Sequence, residues 1–196
     1  MVKSILLVGV GGQGTILASK LLTTGLMEAG YDVKMSEIHG MSQRGGSVSS
    51  QVRYGDKVES PVIELGGADI LVSFEKMEAM RWLEYLKPTG KVIVNNYEIG
   101  PVSILSGKIP YPKGIVEEIS SKVDTMIIDA AEEAKELGNS KVMNIILLGA
   151  TVKSMGLEDI DWEKLIRENV KEAFVDINIE AFALGMRLAN GIESTL

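Results

Sequence analysis

Apolar residues in this chain fall into short blocks whose spacing changes with position. Residues 4–9 (SILLVG) form an unbroken apolar run with β-branched members that closes on glycine, the pattern of a strand buried on both faces of a parallel sheet. Over residues 15–29 the pattern becomes helical. Ala18, Leu22, Gly25 and Ala29 recur at spacings of four, three and four, a stripe of mostly small residues suited to close packing on a sheet. Gly30 is placed to stop that helix, and residues 31–37 read as a second strand, completing a βαβ opening.

A doubly wound fold would continue with a helix. Instead residues 39–46 read His-Gly-Met-Ser-Gln-Arg-Gly-Gly, a glycine-rich loop, and alternation follows it: Val48, Val52 and Tyr54 on one face of a strand, Ser47, Gln51 and Arg53 on the other. A turn is expected at residues 54–56. Regular alternation then resumes with a strand at 69–73, a helix over 74–86 that stops before Pro88, and strands at 91–95 and 123–128. Asp129 and Glu132 have the spacing of a capping box opening the next helix, which ends at Gly138. Helices are predicted over 142–155, over 161–171 and on to about residue 189. The expected fold class is α/β. It comprises a Rossmann-like sheet of mostly parallel strands, an irregular glycine-rich strand connection and a helical C-terminal third, in a single domain over 1–196.

Composition narrows the chemistry. A net charge of −7 over 196 residues, without a basic cluster, argues against a nucleic-acid partner. The longest apolar stretch, residues 145–150, is too short to span a bilayer. The first residues run straight into a strand without the pattern of a signal peptide, so a cytoplasmic location is expected. There is no cysteine and one histidine, which excludes disulfides, thiolate-held zinc, ordinary iron–sulfur ligation and any multi-histidine metal site. No nucleophilic triad can be assembled, because no serine sits in G-x-S-x-G and His39 is the sole histidine base.

Two glycine motifs remain. Gly9-Val10-Gly11-Gly12-Gln13-Gly14 satisfies G-x-G-x-x-G between a strand and a helix, where backbone amides can approach an anion. A dinucleotide site would need an acid at the end of the second strand, and Glu37 is the candidate. The same turn also suits tight packing, another anion, or a partner's active site. The loop at 39–46 suits an anionic group, with Arg44 as a planar fork beside exposed amides. It equally suits a surface loop whose arginine pairs with a nearby carboxylate. His39 is a candidate acid–base group or simply a hydrogen-bonding partner of the loop backbone. The pairs Glu117-Glu118 and Glu132-Glu133 read as solvated helix faces.

Taken together, residues 9–14 and the run Glu37-Ile38-His39-Gly40-Met41-Ser42-Gln43-Arg44-Gly45-Gly46-Ser47-Val48 resemble the gamma-type subunits of 2-oxoacid:ferredoxin oxidoreductases. The His-Gly-Met-Ser-Gln-Arg-Gly-Gly form is closer to the beta subunit of the indolepyruvate branch than to the pyruvate branch. Further agreement lies at residues 66–71, at Gly138-Asn139 and at 144–150, so the resemblance spans roughly residues 3–155. It implies a domain of the pyruvate/ketoisovalerate oxidoreductase gamma type in a complex that decarboxylates a 2-oxoacid. Thiamine diphosphate, iron–sulfur clusters and coenzyme A would serve that complex, the first two carried by a large partner subunit, with ferredoxin reached indirectly. This chain alone would then bind no cofactor and be inactive alone, and its pairing with a second copy stays open. The implied active-site or partner-facing residues are Gly11, Gly12, Gln13, Gly14, His39, Gly40, Ser42, Gln43, Arg44 and Gly45, with no catalytic residue or metal ligand assigned. Gly55-Asp56-Lys57 and Asn95-Asn96 only superficially resemble the thiamine motif, since lysine replaces its second glycine. The alternatives are a subunit of a pyruvate or branched-chain 2-oxoacid enzyme, or a self-contained NAD-binding reductase.

Overall fold

The apolar run at the N-terminus becomes β1 (Lys3–Val10), in which every residue after Lys3 is buried, and the sheet is assembled around it. The computed structural model describes residues 1–39, 45–100, 102–105, 107 and 109–193. After β1 come α1 (Thr15–Glu28), β2 (Asp32–His39), β3 (Ser47–Gly55) and β4 (Ala68–Ser73). Then follow α2 (Lys76–Arg81), β5 (Leu86–Asn95), α3 (Val102–Leu105), α4 (Ile115–Ser120) and β6 (Asp124–Ile128). The C-terminal part is helical: α5 (Ala130–Glu136), α6 (Met143–Met155), α7 (Trp162–Asn169) and α8 (Val175–Glu193).

The six strands form one sheet in the order β2-β3-β1-β4-β5-β6. Strand β1 pairs in parallel with β4, β4 with β5, and β5 with β6. Strand β3 is antiparallel to both of its neighbours, with Val10 opposite Ser47 and His39 opposite Val48. The expected α/β sheet of mostly parallel strands is therefore present, but β3 is inserted between the first two strands of the opening unit. Ile5 and Leu7 belong to the core beneath α1 and α5–α8, whereas Leu6 and Val8 belong to the core beneath α2 and α4. Both faces of β1 are thus covered by helices, which is why its apolar run is continuous rather than alternating.

Several local expectations change. The helix predicted over 74–86 is only Lys76–Arg81 followed by a 3-10 turn at Leu83–Tyr85, and β5 already begins at Leu86. Leu86 pairs with Ala68, and the register shifts before Ile70 pairs with Lys91. Pro88 lies in that irregular stretch of the strand, where a residue without an N–H is tolerated. The capping box at Asp129 does not form. The Asp129 side chain accepts from Asn96 Nδ2 at 2.7 Å and makes no cap bond. Ala29 is the exposed C-cap of α1 rather than a fourth member of its buried stripe. The polar face of β3 is covered by residues 56–67. Gln51 Oε1 accepts from the Ile63 N–H at 2.6 Å, and Arg53 Nη1 donates to the Ser60 and Val62 carbonyls at 3.1 Å each.

The lower end of the sheet is tied by Asp69, whose carboxylate accepts from the Ser4 N–H (2.8 Å), Lys87 Nζ (2.8 Å) and Lys3 Nζ (3.4 Å). Burial alone would raise its pKa; the hydrogen bonds and lysine charges outweigh that and lower it. A depressed carboxylate contributes stability at neutral pH that is lost as pH falls through its folded-state value. Asp69→Asn should therefore flatten the acid limb of the stability–pH curve, read by urea denaturation at several pH values. An unchanged acid limb would show that Asp69 contributes none of it.

Helices α6 and α8 touch backbone to backbone. A Cβ on Gly185 would lie 1.9 Å from the Ile146 carbonyl oxygen, and one on Gly149 would lie 2.2 Å from that of Phe182. Gly185→Ala should cost roughly 1–3 kcal/mol by overpacking. The loss should show as a lower urea midpoint at unchanged far-UV dichroism.

Candidate functional site: two glycine loops at one edge of the sheet

Strands β1, β2, β4, β5 and β6 run in the same direction, so the loops that follow them emerge at one edge of the sheet. In open α/β sheets that edge is where ligands bind. The first glycine loop leaves β1 there and is held by its own glutamine. Gln13 Oε1 accepts from the Val10 N–H at 2.8 Å, and Nε2 donates to the Phe74 carbonyl at 2.8 Å. Gln13 is accordingly buried, a bracket for the turn more than a surface group. Gly14 caps α1 in the left-handed region at φ 80°, and its carbonyl accepts from Asn144 Nδ2 of α6 at 3.0 Å. A Cβ at Gly14 would meet that nitrogen at 2.5 Å, so both conformation and space demand glycine. The Phe74 carbonyl also accepts from Asn95 Nδ2 at 3.1 Å, which ties the end of β5 to the same turn.

The second glycine loop begins and ends beside the first. Gly46 accepts from the Gly11 N–H at 2.9 Å, one step beyond the Val10–Ser47 pair. His39 is exposed at the end of β2, opposite Val48. Gly45 is exposed with φ 78°. Gly40, Ser42, Gln43 and Arg44 lie outside the described residues. Of the ten residues singled out from the sequence, the structure brings Gly11, Gly12, Gln13 and Gly14 to the same edge as Gly45 and His39.

Two clefts flank this junction. One, of about 540 Å³, is lined by Gly11–Gly14 together with Tyr97, Ile99, Lys135 and Lys141. The other, of about 260 Å³, is lined by Val10, Gly45, Ser47, Glu75, Glu78 and Ile99. Its two glutamates are buried, and sequence reasoning passed over them inside what it took for a longer helix. Glu78 accepts from Ser47 Oγ (2.5 Å), Arg81 Nε (3.2 Å) and Trp82 Nε1 (3.3 Å). Glu75 accepts from the Glu78 N–H (3.0 Å), the Ile99 N–H (3.2 Å) and the Tyr111 hydroxyl. The Glu78 N–H, Arg81 and Trp82 are near in the chain, but Ser47, Ile99 and Tyr111 come from remote segments, and no pattern in the sequence marks those contacts.

The residues present do not fit two cofactors suggested by motif. For a dinucleotide, the acid of the second strand should stand next to the first strand. Here β3 intervenes, so β2 lies two strand spacings away, about 10 Å, and Glu37 is taken up by Ser19 Oγ of α1 at 2.8 Å. For thiamine diphosphate, Asp56 and Asn95 would have to converge. Asp56 follows the lower end of β3 and pairs with the N-terminal amine at 2.8 Å, whereas Asn95 closes β5 at the upper edge. The length of β1 separates those ends, roughly 20 Å.

Comparison with known proteins gives consistent relatives. The family model for pyruvate ferredoxin/flavodoxin oxidoreductase matches residues 4–188. The indolepyruvate oxidoreductase subunit IorB of Thermococcus kodakarensis is 40% identical over 194 residues, 95% of each chain. Its counterpart from Archaeoglobus fulgidus is 36% identical over 193 residues, 95% of this chain and 94% of its own. The gamma subunit of a keto/oxoacid ferredoxin oxidoreductase from Geobacter sulfurreducens shares the fold with a TM-score of 0.71. That similarity has 27% identity and covers 96% of this chain and 99% of the other.

The bracket role of Gln13 can be tested directly. Gln13→Ala strands the buried Val10 N–H, leaves the Phe74 carbonyl with Asn95 Nδ2 alone, and should destabilise the fold by about 1–3 kcal/mol. Thermal denaturation of the purified protein reads the effect, and an unchanged melting temperature would remove Gln13 from the scaffold.

Proposed function

We propose that this chain, which belongs to the pyruvate ferredoxin/flavodoxin oxidoreductase family, is the small subunit of a 2-oxoacid:ferredoxin oxidoreductase of the indolepyruvate type. In that role it completes, with a larger partner subunit, the site at which an aryl 2-oxoacid is oxidatively decarboxylated with coenzyme A as acyl acceptor. The observation that carries this reading is the Gly11–Gly46 junction. It supports one polar, amide-rich rim made of both glycine loops, on a chain matched over nearly its whole length by indolepyruvate oxidoreductase subunits. The whole chain acts as one gamma-type domain, in the cytoplasm.

In the assembled enzyme thiamine diphosphate would supply the electron sink for decarboxylation, and iron–sulfur clusters a path for electrons toward ferredoxin. Both would belong to the partner: a chain without cysteine has no thiolate for a cluster, and Asp56 and Asn95 lie at opposite ends of the sheet and do not converge on a thiamine site. The task of the present chain is positional. The Gly11 N–H is committed to the Gly46 carbonyl, so the backbone at Gly12, which lines the larger cleft, is what can orient an anionic group. Arg44, on the second loop, offers a fork matched to a carboxylate or phosphate, with Ser42 and Gln43 as neutral partners and His39 at the base. Docking of the large subunit over this rim would exclude water from the reacting centre.

Among the described residues no helix is long and apolar enough to cross a membrane. Affinity capture of the tagged chain from its native cell should bring down a brown partner of several hundred residues. The complex should reduce a viologen dye in a manner dependent on an aryl pyruvate. Arg44→Ala should lower that turnover roughly tenfold or more and leave the isolated chain folded. Keto-acid oxidation by the isolated chain, or micromolar NAD(H) binding to it, would sink the reading.

A further inference from the structure

Glu75 stands at the junction of β4 and α2, is 1% exposed, and serves several elements at once. Its Oε2 accepts from the Glu78 N–H and so caps α2, while its Oε1 accepts from the Ile99 N–H and from the Tyr111 hydroxyl, 36 residues away. The Tyr111 oxygen in turn accepts from the Met77 N–H at 3.2 Å. Burial first, and then the hydrogen bond to Glu75, push the Tyr111 hydroxyl well above the ordinary phenol range, so it remains a donor. Helix N-caps favour Ser, Thr, Asp and Asn. Capping alone therefore does not account for a glutamate here, whose longer arm reaches the segment after β5. Ile99 lines both clefts beside the glycine loops, and Tyr111 lines a third of about 570 Å³.

We infer that Glu75 is a positioning residue: its carboxylate, with Tyr111, fixes the Ile99 wall shared by the two clefts and thereby sets how the 2-oxoacid fits. The inference rests on the function proposed above. A carboxylate offers two acceptor oxygens to three donors. An amide offers one, so Glu75→Gln must give up either the α2 cap or the Ile99 and Tyr111 bonds. Tyr111→Phe removes the Tyr111 arm, together with the acceptor of the Met77 N–H, and leaves the α2 cap and the Ile99 bond in place.

The test is steady-state kinetics of the complex reconstituted with the large subunit, using wild type, Glu75→Gln, Tyr111→Phe and the control Ile145→Val. Ile145 is fully buried on α6 in the core across the sheet from α2 and Glu75, and is remote from these bonds. Both test variants should lower kcat/KM for the aryl 2-oxoacid about tenfold, carried mainly by KM, and the control should keep the wild-type KM. Should Glu75→Gln fail to fold, Tyr111→Phe alone decides. Unchanged KM in the folded test variants, or an equal rise in the control, overturns the positioning role while the proposed function stands. A wild-type complex without 2-oxoacid-dependent dye reduction overturns both.

Discussion

The pairing of β1 with β3 is the constraint on which the site depends. Eight residues of β1 are matched by eight of β3 in antiparallel register, and that ladder occupies the position the second strand would take in a regular βαβ unit. Three consequences follow from one pairing. Strand β2 is moved to the edge of the sheet, Glu37 is carried away from the first glycine loop, and residues 45–47 are brought against residues 10–11. A loop that looked like half of a dinucleotide fingerprint becomes half of a two-loop rim.

The rim is held in shape by buried polar side chains. Gln13, Asn95 and Asn144 hold the backbone of the first loop and of the Phe74 bend. Glu78 holds the base of the second loop through Ser47, and Glu75 holds the segment beyond β5. In a low-dielectric interior such bonds are strong when complete, and a missing member leaves its partners unsatisfied at a cost. The arrangement therefore fixes the first glycine loop, and the described residues that flank the second, at the walls of the two clefts.

Chemistry and scaffold are divided accordingly. The chain offers amides, an arginine and small residues, groups suited to orienting and enclosing a ligand, and lacks the sulfur ligands that one-electron transfer through clusters requires. Membership in an oxidoreductase family is compatible with that poverty because its relatives are subunits of larger assemblies.

Much of this was legible in the sequence. Unbroken apolar runs marked β1 and β4, Gly30 marked the end of α1, and the two glycine motifs marked the family and pointed to a candidate site, because each depends on residues close together in the chain. Strand order was not legible. Nothing local distinguishes a second strand that pairs with the first from one displaced by a hairpin, since the difference lies in which ladder closes. The longer helix expected over 74–86 failed for the same reason: Leu86 joins a strand because Ala68 is there to receive it, which outweighs helical preference. Glu75, Glu78, Tyr111 and Asn144 gained their roles only when remote segments met. A carboxylate or amide carries no mark of its partner until the backbone delivers one within hydrogen-bonding distance and removes the water.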